Sequence, residues 1–366
     1  MKGKIKMNIF KREGSMVRRH SVRLITAVAL ALSVSFPMAT LAAPSVKAGD
    51  TCAKTSLNKT SGSFKCTYSS VTKKYTWVTV ATTTASRADW PKKLIIGAVP
   101  SENAASMTLR YQNFVKLMSQ ATGLPVEFYA ATDYAGVIEA QVAGRVDMAF
   151  YGPFSYVLAK ARGAKIDPIG AAIPSATGKP GYYSYGITNA SRSDIKSIKD
   201  FKGKNVCFVD AASTSGFLYP TAGLLANGIS SSDYTSTFAG GHDSSVLSIE
   251  RGTCDVGFAY DDMVDSLLID QGKLAKGAVK TVWTSEVIAG SPMAVRVDLP
   301  KDLVEIIRTT VLEKANVPGF VAAGLCATAT DCRIIEDKSW GFTKVVDSYY
   351  DGIRQVCEAT RSTKCR

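Results

Sequence analysis

The sequence predicts an α/β protein of two similar lobes, each a doubly wound sheet, preceded by a small disulfide-bridged module. Beyond Lys92, short apolar runs alternate with segments of helical period, the pattern of parallel α/β layers. The alternation occurs twice, and the two series superpose at a constant offset of 108 residues. Two distant cysteines, Cys207 and Cys254, fall where such winding brings two strands together.

In the first series residues 94–98, 126–129 and 148–151 read as strands, separated by helices over 107–121 and 134–143. In the second, 206–209, 234–238 and 256–260 are strands, with helices over 216–226 and 244–251. The offset pairs Ile138 with Val246, Gly144 with Gly252, Asp147 with Asp255 and Phe150 with Phe258. Gly-x-x-Asp before each third strand then reads as one helix-ending turn used twice. Right-handed crossovers that place the first strand between the second and third set Cys207 beside Cys254.

The N-terminal part has a different character. Eight basic residues between Lys2 and Arg23 precede an apolar run over 24–36, followed by Ala39, Ala42 and Ala43, which is the pattern of a secretory signal over 1–43. The run is short for a membrane span, although an uncleaved anchor is the alternative reading. Residues 44–91 are rich in Thr, Ser and Lys and hold one hairpin candidate, 63–68 turning through Thr72-Lys73-Lys74 into 75–80. They read as a small bridged module with a linker, or else as a flexible spacer. The first lobe is expected over 92–187, the second over 188–288. Residues 289–366 return to the first lobe and end in helices over 303–314 and 342–353.

All eight cysteines follow the leader, and an even count in an exported chain points to disulfides. Neighbour pairing gives Cys52 with Cys66, Cys326 with Cys332 and Cys357 with Cys365, leaving Cys207 and Cys254 for each other. Zinc is disfavoured, because one histidine, His242, remains after the leader and no paired-ligand spacing exists. The leader accounts for +7 of the formal net charge of +13, so the exported chain carries about +6. That balance suits an anionic ligand or an acidic envelope surface. No basic stripe with interleaved aromatics argues for nucleic acid.

In open α/β sheets ligands sit beyond the carboxyl ends of strands. After the first strand of the second lobe comes Asp210-Ala211-Ala212-Ser213-Thr214-Ser215-Gly216, three hydroxyls at a helix start, where an oxyanion binds well. An ordinary N-cap needs only one of them. The offset also pairs Tyr134 with His242, a phenol and an imidazole at corresponding mouths of the two sheets. Tyr151-Gly152-Pro153 and Tyr260-Asp261-Asp262 follow the third strands, and the carboxylates there accept from a ligand amine or an acidic P–OH, or cap the next helix.

The segments Asp133-Tyr134-Ala135-Gly136, Tyr151-Gly152-Pro153, Lys179-Pro180-Gly181-Tyr182-Tyr183-Ser184, Ser213-Thr214-Ser215-Gly216 and Gly241-His242 stand in an order that resembles the phosphate/phosphite/phosphonate solute-binding proteins of ABC transporters. The resemblance spans about residues 94–298. It implies a class II periplasmic-binding-protein fold, with a ligand clamped between lobes joined by two crossing segments. It further implies that Tyr134 and Tyr182 flank the ligand, that Ser213, Thr214 and Ser215 hold its P–O oxygens, and that His242 adds a donor. Tyr151 is a neighbour and Asp262 an acceptor. Aminophosphonate binders of this family have two acidic residues for the ligand amine, and the matching positions here are Asp262 and Ser291. Only the first is a carboxylate, which favours a ligand without an ammonium group.

The implied partners are a small phosphorus oxyanion and an ABC permease, with the chain a monomer at the periplasmic or extracellular face of the envelope. No cofactor is called for. A Ser/His hydrolase built on Ser213, His242 and Asp262 is disfavoured, since no G-x-S-x-G elbow, H-E-x-x-H, G-x-G-x-x-G or phosphate-loop motif is present. A sensor without transport has the same sequence signature.

Overall fold

The computed structural model describes residues 46–61, 64–69, 72–79, 87–335, 339–361 and 365, and the leader expected over 1–43 lies outside the described residues. The chain divides into a unit ending at Thr82 and a body from Thr83 onward. The first unit is an antiparallel sheet of β1 (Thr60–Ser61), β2 (Phe64–Ser69) and β3 (Lys74–Thr79). Lys73 makes the turn with φ +54°, and the register sets Cys66 opposite Trp77 and Tyr68 opposite Tyr75. Three short strands hold little core, and the Cys52–Cys66 bridge staples them.

The body begins with β4 (Leu94–Ala98), α1 (Ala104–Thr122), β5 (Val126–Ala130), α2 (Tyr134–Val142), β6 (Met148–Phe150), α3 (Pro153–Ala161) and β7 (Ile166–Ile173). Helix α1 shows why these segments form. Asn103 caps it by accepting from the Ser106 amide at 3.1 Å, Met107, Tyr111, Phe114, Leu117 and Met118 bury one face, and Gly123 ends it at φ +71°. The chain then crosses as β8 (Gly181–Tyr182) and continues with β9 (Ser184–Asn189) and β10 (Asn205–Phe208). A π-helical turn, Thr214–Leu218, runs into α4 (Tyr219–Ala226), followed by β11 (Thr235–Phe238), α5 (His242–Glu250) and β12 (Val256–Tyr260). A second π turn, Met263–Leu267, leads into α6 (Leu268–Asp270) and β13 (Val279–Thr284). The return crossing is β14 (Ile288–Ala289). Then come β15 (Pro292–Arg296), α7 (Lys301–Thr309) with a π turn to Lys314, α8 (Val317–Ala322), β16 (Gly341–Lys344) and α9 (Asp351–Ala359).

These strands make a six-stranded sheet, β16-β7-β15-β6-β4-β5, and a five-stranded sheet, β11-β10-β12-β9-β13. The crossings β8 and β14 pair antiparallel and join the lobes. In both sheets the first strand lies between the second and third, all parallel, as the sequence predicts. Strand residues alternate between two cores. Ile96, Met148 and Phe150 bury on one side of the first sheet and Ala149 on the other, while Val206 and Phe258 oppose Cys207 and Ala259 in the second. Cys207 and Cys254 are bridged with Cα atoms 5.9 Å apart, and Cys326–Cys332 and Cys357–Cys365 are bridged locally.

Two expectations need correction. The sheets are mixed, because β9, β13, β7, β15 and β16 run antiparallel to their neighbours. Phe342 does not open a helix: it lies in β16, its ring in the core against Phe114 and Phe150, and the last helix runs instead over Asp351–Ala359. No helix among the described residues is long and apolar enough to cross a membrane.

Candidate functional site

A cavity of about 70 Å³ lies between the two sheets, lined by Tyr134, Tyr151, Tyr182, Ser213, Thr214, Ser215, His242 and Asp262, which are all the residues singled out in the sequence. A water needs about 10–15 Å³ on this measure, so the space suits a ligand of a few heavy atoms.

The floor on the lobe of β10 is the start of the π turn. Ser213 is extended and caps it, its Oγ accepting from the Gly216 amide at 3.0 Å. Gly216 is required, since a Cβ there would sit 2.4 Å from Val209, the residue just after β10. Thr214 reaches across the cleft and its Oγ1 accepts from the Phe154 amide of α3 at 2.8 Å. Ser184 Oγ donates to the Ser215 carbonyl at 2.6 Å and fixes the turn against β9. All three hydroxyl residues, Ser213, Thr214 and Ser215, are buried.

His242 opens α5. Its Nδ1 accepts from the Tyr260 amide at 3.2 Å, and because an amide only donates, the ring proton sits on Nε2, 3.4 Å from Ser213 Oγ. Burial pushes its pKa down to about 3, which keeps the imidazole a neutral donor. The Tyr260 ring packs edge-on against it at 4.8 Å.

From the other lobe, Tyr134 opens α2 and is buried. Burial first, then the charge of Asp210, hold its phenol far above the ordinary value, against the pull of a hydrogen bond with Ser213. Tyr151 is buried too, but its hydroxyl donates to Gln141 Oε1 at 3.2 Å, so its ring forms cavity wall. Tyr182 comes from the crossing β8. Asp261 and Asp262 close the far side. Burial first, with the neighbouring Asp262 charge, raises the Asp261 pKa above the usual carboxylate range. No Lys or Arg lines the cavity among the described residues.

Ser101, Tyr111, Tyr260, Asp261 and Ser291 line it as well. The signal for Ser101 was present: it follows the first strand of its lobe, as Ser213 follows the first strand of the other. Tyr111 had no such signal, since it sits at core spacing in α1. Further hydrogen bonds join the lobes, at the cavity's edge and beyond it. The His242 amide donates to Ser101 O at 2.9 Å, the Asn103 amide to Asp243 Oδ2 at 3.2 Å, and Gln271 Nε2 to Glu102 Oε2 at 3.0 Å.

A family model described as the periplasmic substrate-binding protein of phosphonate ABC transporters matches residues 96–318. The chain is 46% identical over 285 residues to the phosphate-import protein PhnD of Mycolicibacterium smegmatis, covering 76% of this chain and 88% of that one. It is 32% identical to the phosphonates-binding periplasmic protein of Escherichia coli over 57% of this chain and 62% of that one. Among solved structures, a binding component of a phosphonate ABC transporter from Pseudomonas aeruginosa aligns with TM-score 0.63 at 25% identity, over 75% of this chain and 87% of that one. PhnD1 of Prochlorococcus marinus, solved with methylphosphonate, aligns with TM-score 0.63 at 19% identity, over 74% and 99%, and shares the fold.

Proposed function

Because the chain belongs to the family of periplasmic substrate-binding proteins of phosphonate ABC transporters, we propose that it clamps a small phosphorus oxyanion between its lobes and hands it to an ABC permease. It acts as an exported monomer, since a single chain carries the whole cavity. It is a binding component and not an enzyme.

The observation that carries the ligand class is the composition of the lining: neutral donors and a carboxylate pair, with no cation among the described residues. Ser213, Thr214, Ser215 and His242 Nε2 face the positive end of a helix, where fixed dipoles and charge-assisted hydrogen bonds hold an anion without a countercharge. Asp261 and Asp262 only accept when ionised, so they favour an anion that brings its own proton, a P–OH. Sulfate has no proton to give at neutral pH and meets repulsion there. Tyr134 and Tyr182 flank the ligand and Tyr151 walls it. Ser291 offers no second carboxylate for an ammonium group. Phosphate, phosphite and methylphosphonate all meet these terms, and the name of the Mycolicibacterium relative supports phosphate.

Lobe closure about β8 and β14 couples binding to transport. The cross-lobe bonds of Thr214, Ser101, Asn103 and Gln271 exist only with the cleft shut, and a ligand that contacts both lobes selects that form. A thermal-shift panel tests the assignment. Ligand at about a hundred times Kd adds about 2.7 kcal/mol of stability. Phosphate, phosphite and methylphosphonate are expected to raise Tm, with sulfate and 2-aminoethylphosphonate weak. A sulfate shift equal to that of phosphate, or no shift with any phosphorus oxyanion, contradicts it.

A further inference from the structure

The exported chain's charge is not spread evenly. Residues 44–82 hold six lysines, no arginine and one acidic residue, a net +5, whereas the long remainder from residue 83 sums to only +1. This basic segment is the stapled three-stranded unit, and it lies outside the span matched by the family model. Nothing in the ligand cavity calls for it.

The register of β2 and β3 sorts its residues. Lys65 opposes Val78, Thr67 opposes Thr76 and Ser69 opposes Lys74, so these share one face, with Lys73 at the turn beside them. Cys66, Trp77, Tyr68 and Tyr75 share the other, where Cys66 is buried and the two tyrosine rings meet at a 44° tilt with centroids 4.8 Å apart. Among the described residues none of the six lysines pairs with a carboxylate, and Lys47, Lys54, Lys59, Lys73 and Lys74 are exposed. Val78 stands on the lysine face and Leu57 lies between Lys54 and Lys59 in the chain, each with 40% of its surface exposed, while Tyr68 on the opposite face is 47% exposed.

We propose that the N-terminal unit is an electrostatic tether that docks on anionic phospholipid. The chemistry selects this occupant. Lysine is a compact, strongly hydrated charge suited to the diffuse attraction of a lipid surface, while directed recognition of single phosphates favours the arginine that the unit lacks. Exposed Leu57 and Val78 between the lysines suit the headgroup boundary. A nearly neutral body follows passively and stays close to the membrane that holds the importer, where its effective concentration rises.

The test is cosedimentation of the exported chain, unit and body together, with vesicles of phosphatidylglycerol mixed with phosphatidylcholine. Binding is expected at low salt, release at high salt, and none to phosphatidylcholine alone. Each lysine contributes about fivefold near such a surface, so the triple variant Lys65→Ser/Lys73→Ser/Lys74→Ser should bind at least tenfold more weakly. Its Tm and phosphate response should stay as in the parent, which shows that the fold and the cavity survive. The same exchange at Lys273, Lys276 and Lys301 of the body should leave vesicle binding intact. No binding to anionic vesicles, equal binding to neutral ones, or equal losses in the two triple variants overturns the tether.

Discussion

The helix starts of α2 and α5, one in each lobe, are the same device built twice and finished differently. Each helix is nine residues long, follows the second strand of its sheet and is succeeded by a glycine at positive φ, Gly144 at +68° and Gly252 at +75°. Three residues on, Asp147 and Asp255 accept the amides of Ile95 and Asn205, at 2.8 and 2.9 Å, and tie the helix exit to the first strand. Each is paired with an arginine, Arg296 or Arg192. At the cavity end the two part. Asp133 caps α2 with its side chain, and Tyr134 follows; Gly241 leaves α5 without a side-chain cap, and His242 follows. A turn that holds the scaffold is kept, while the first helical residue is free to set the chemistry, so one lobe offers phenols and the other hydroxyls with an imidazole.

The sharpest break of this comparison removes a donor from each side. Ser213→Ala takes away the hydroxyl that caps the π turn and meets both Tyr134 and His242, and should weaken phosphate binding by about 1–3 kcal/mol. Tyr134→Phe removes a single donor and should cost about 1 kcal/mol. Calorimetric titration of both variants decides it; equal losses would erase the distinction between the lobes.

The next effect is one of pH. The folded pKa of His242 is depressed to about 3, below its ordinary 6.5. Between those values the unfolded chain binds a proton that the native one does not, so this residue's contribution is complete above pH 6.5 and is lost as the pH falls toward 3. The slope is about 1.4 kcal/mol per pH unit. Denaturant melts from pH 7 to 4 should show it, and His242→Gln should flatten it. Tyr134, which holds the matching position in α2, makes no such demand, since it stays protonated over the whole range.

The smallest effect lies outside the cavity. Gln271→Ala removes one cross-lobe hydrogen bond, to Glu102, without touching the ligand. Phosphate affinity should fall by about 0.5–1.5 kcal/mol with unchanged stoichiometry. Full wild-type affinity would mean that this contact does not help to hold the lobes shut.

What the sequence made legible was local or repeated. Strands β4, β5, β6, β10 and β12 are short runs rich in apolar residues, whereas β11 is Thr-Ser-Thr-Phe and exposed throughout, and the offset of 108 lines up α2 with α5 residue for residue. The cavity residues on the loops after these strands followed from that order. The antiparallel strands were illegible for physical reasons. Strand β7 contains Pro168 and small residues that break its pattern, and it is accommodated by a register shift opposite Met293 and Ala294. Phe342 reads equally as helix or strand in a short segment, and only its pairing with Ala172 across more than a hundred residues decides. The crossings β8 and β14 are two residues each, too short for any periodicity.

The account stands on a small anion seated among neutral donors between the lobes, and a crystal structure of the protein grown with phosphate tests this most directly. It predicts a tetrahedral anion within hydrogen-bond reach of Ser213, Thr214, Ser215 and His242 Nε2, with one oxygen donating its proton to Asp261 or Asp262. Phosphate bound elsewhere, or a cavity that stays filled by its own tyrosines at saturating phosphate, would contradict it.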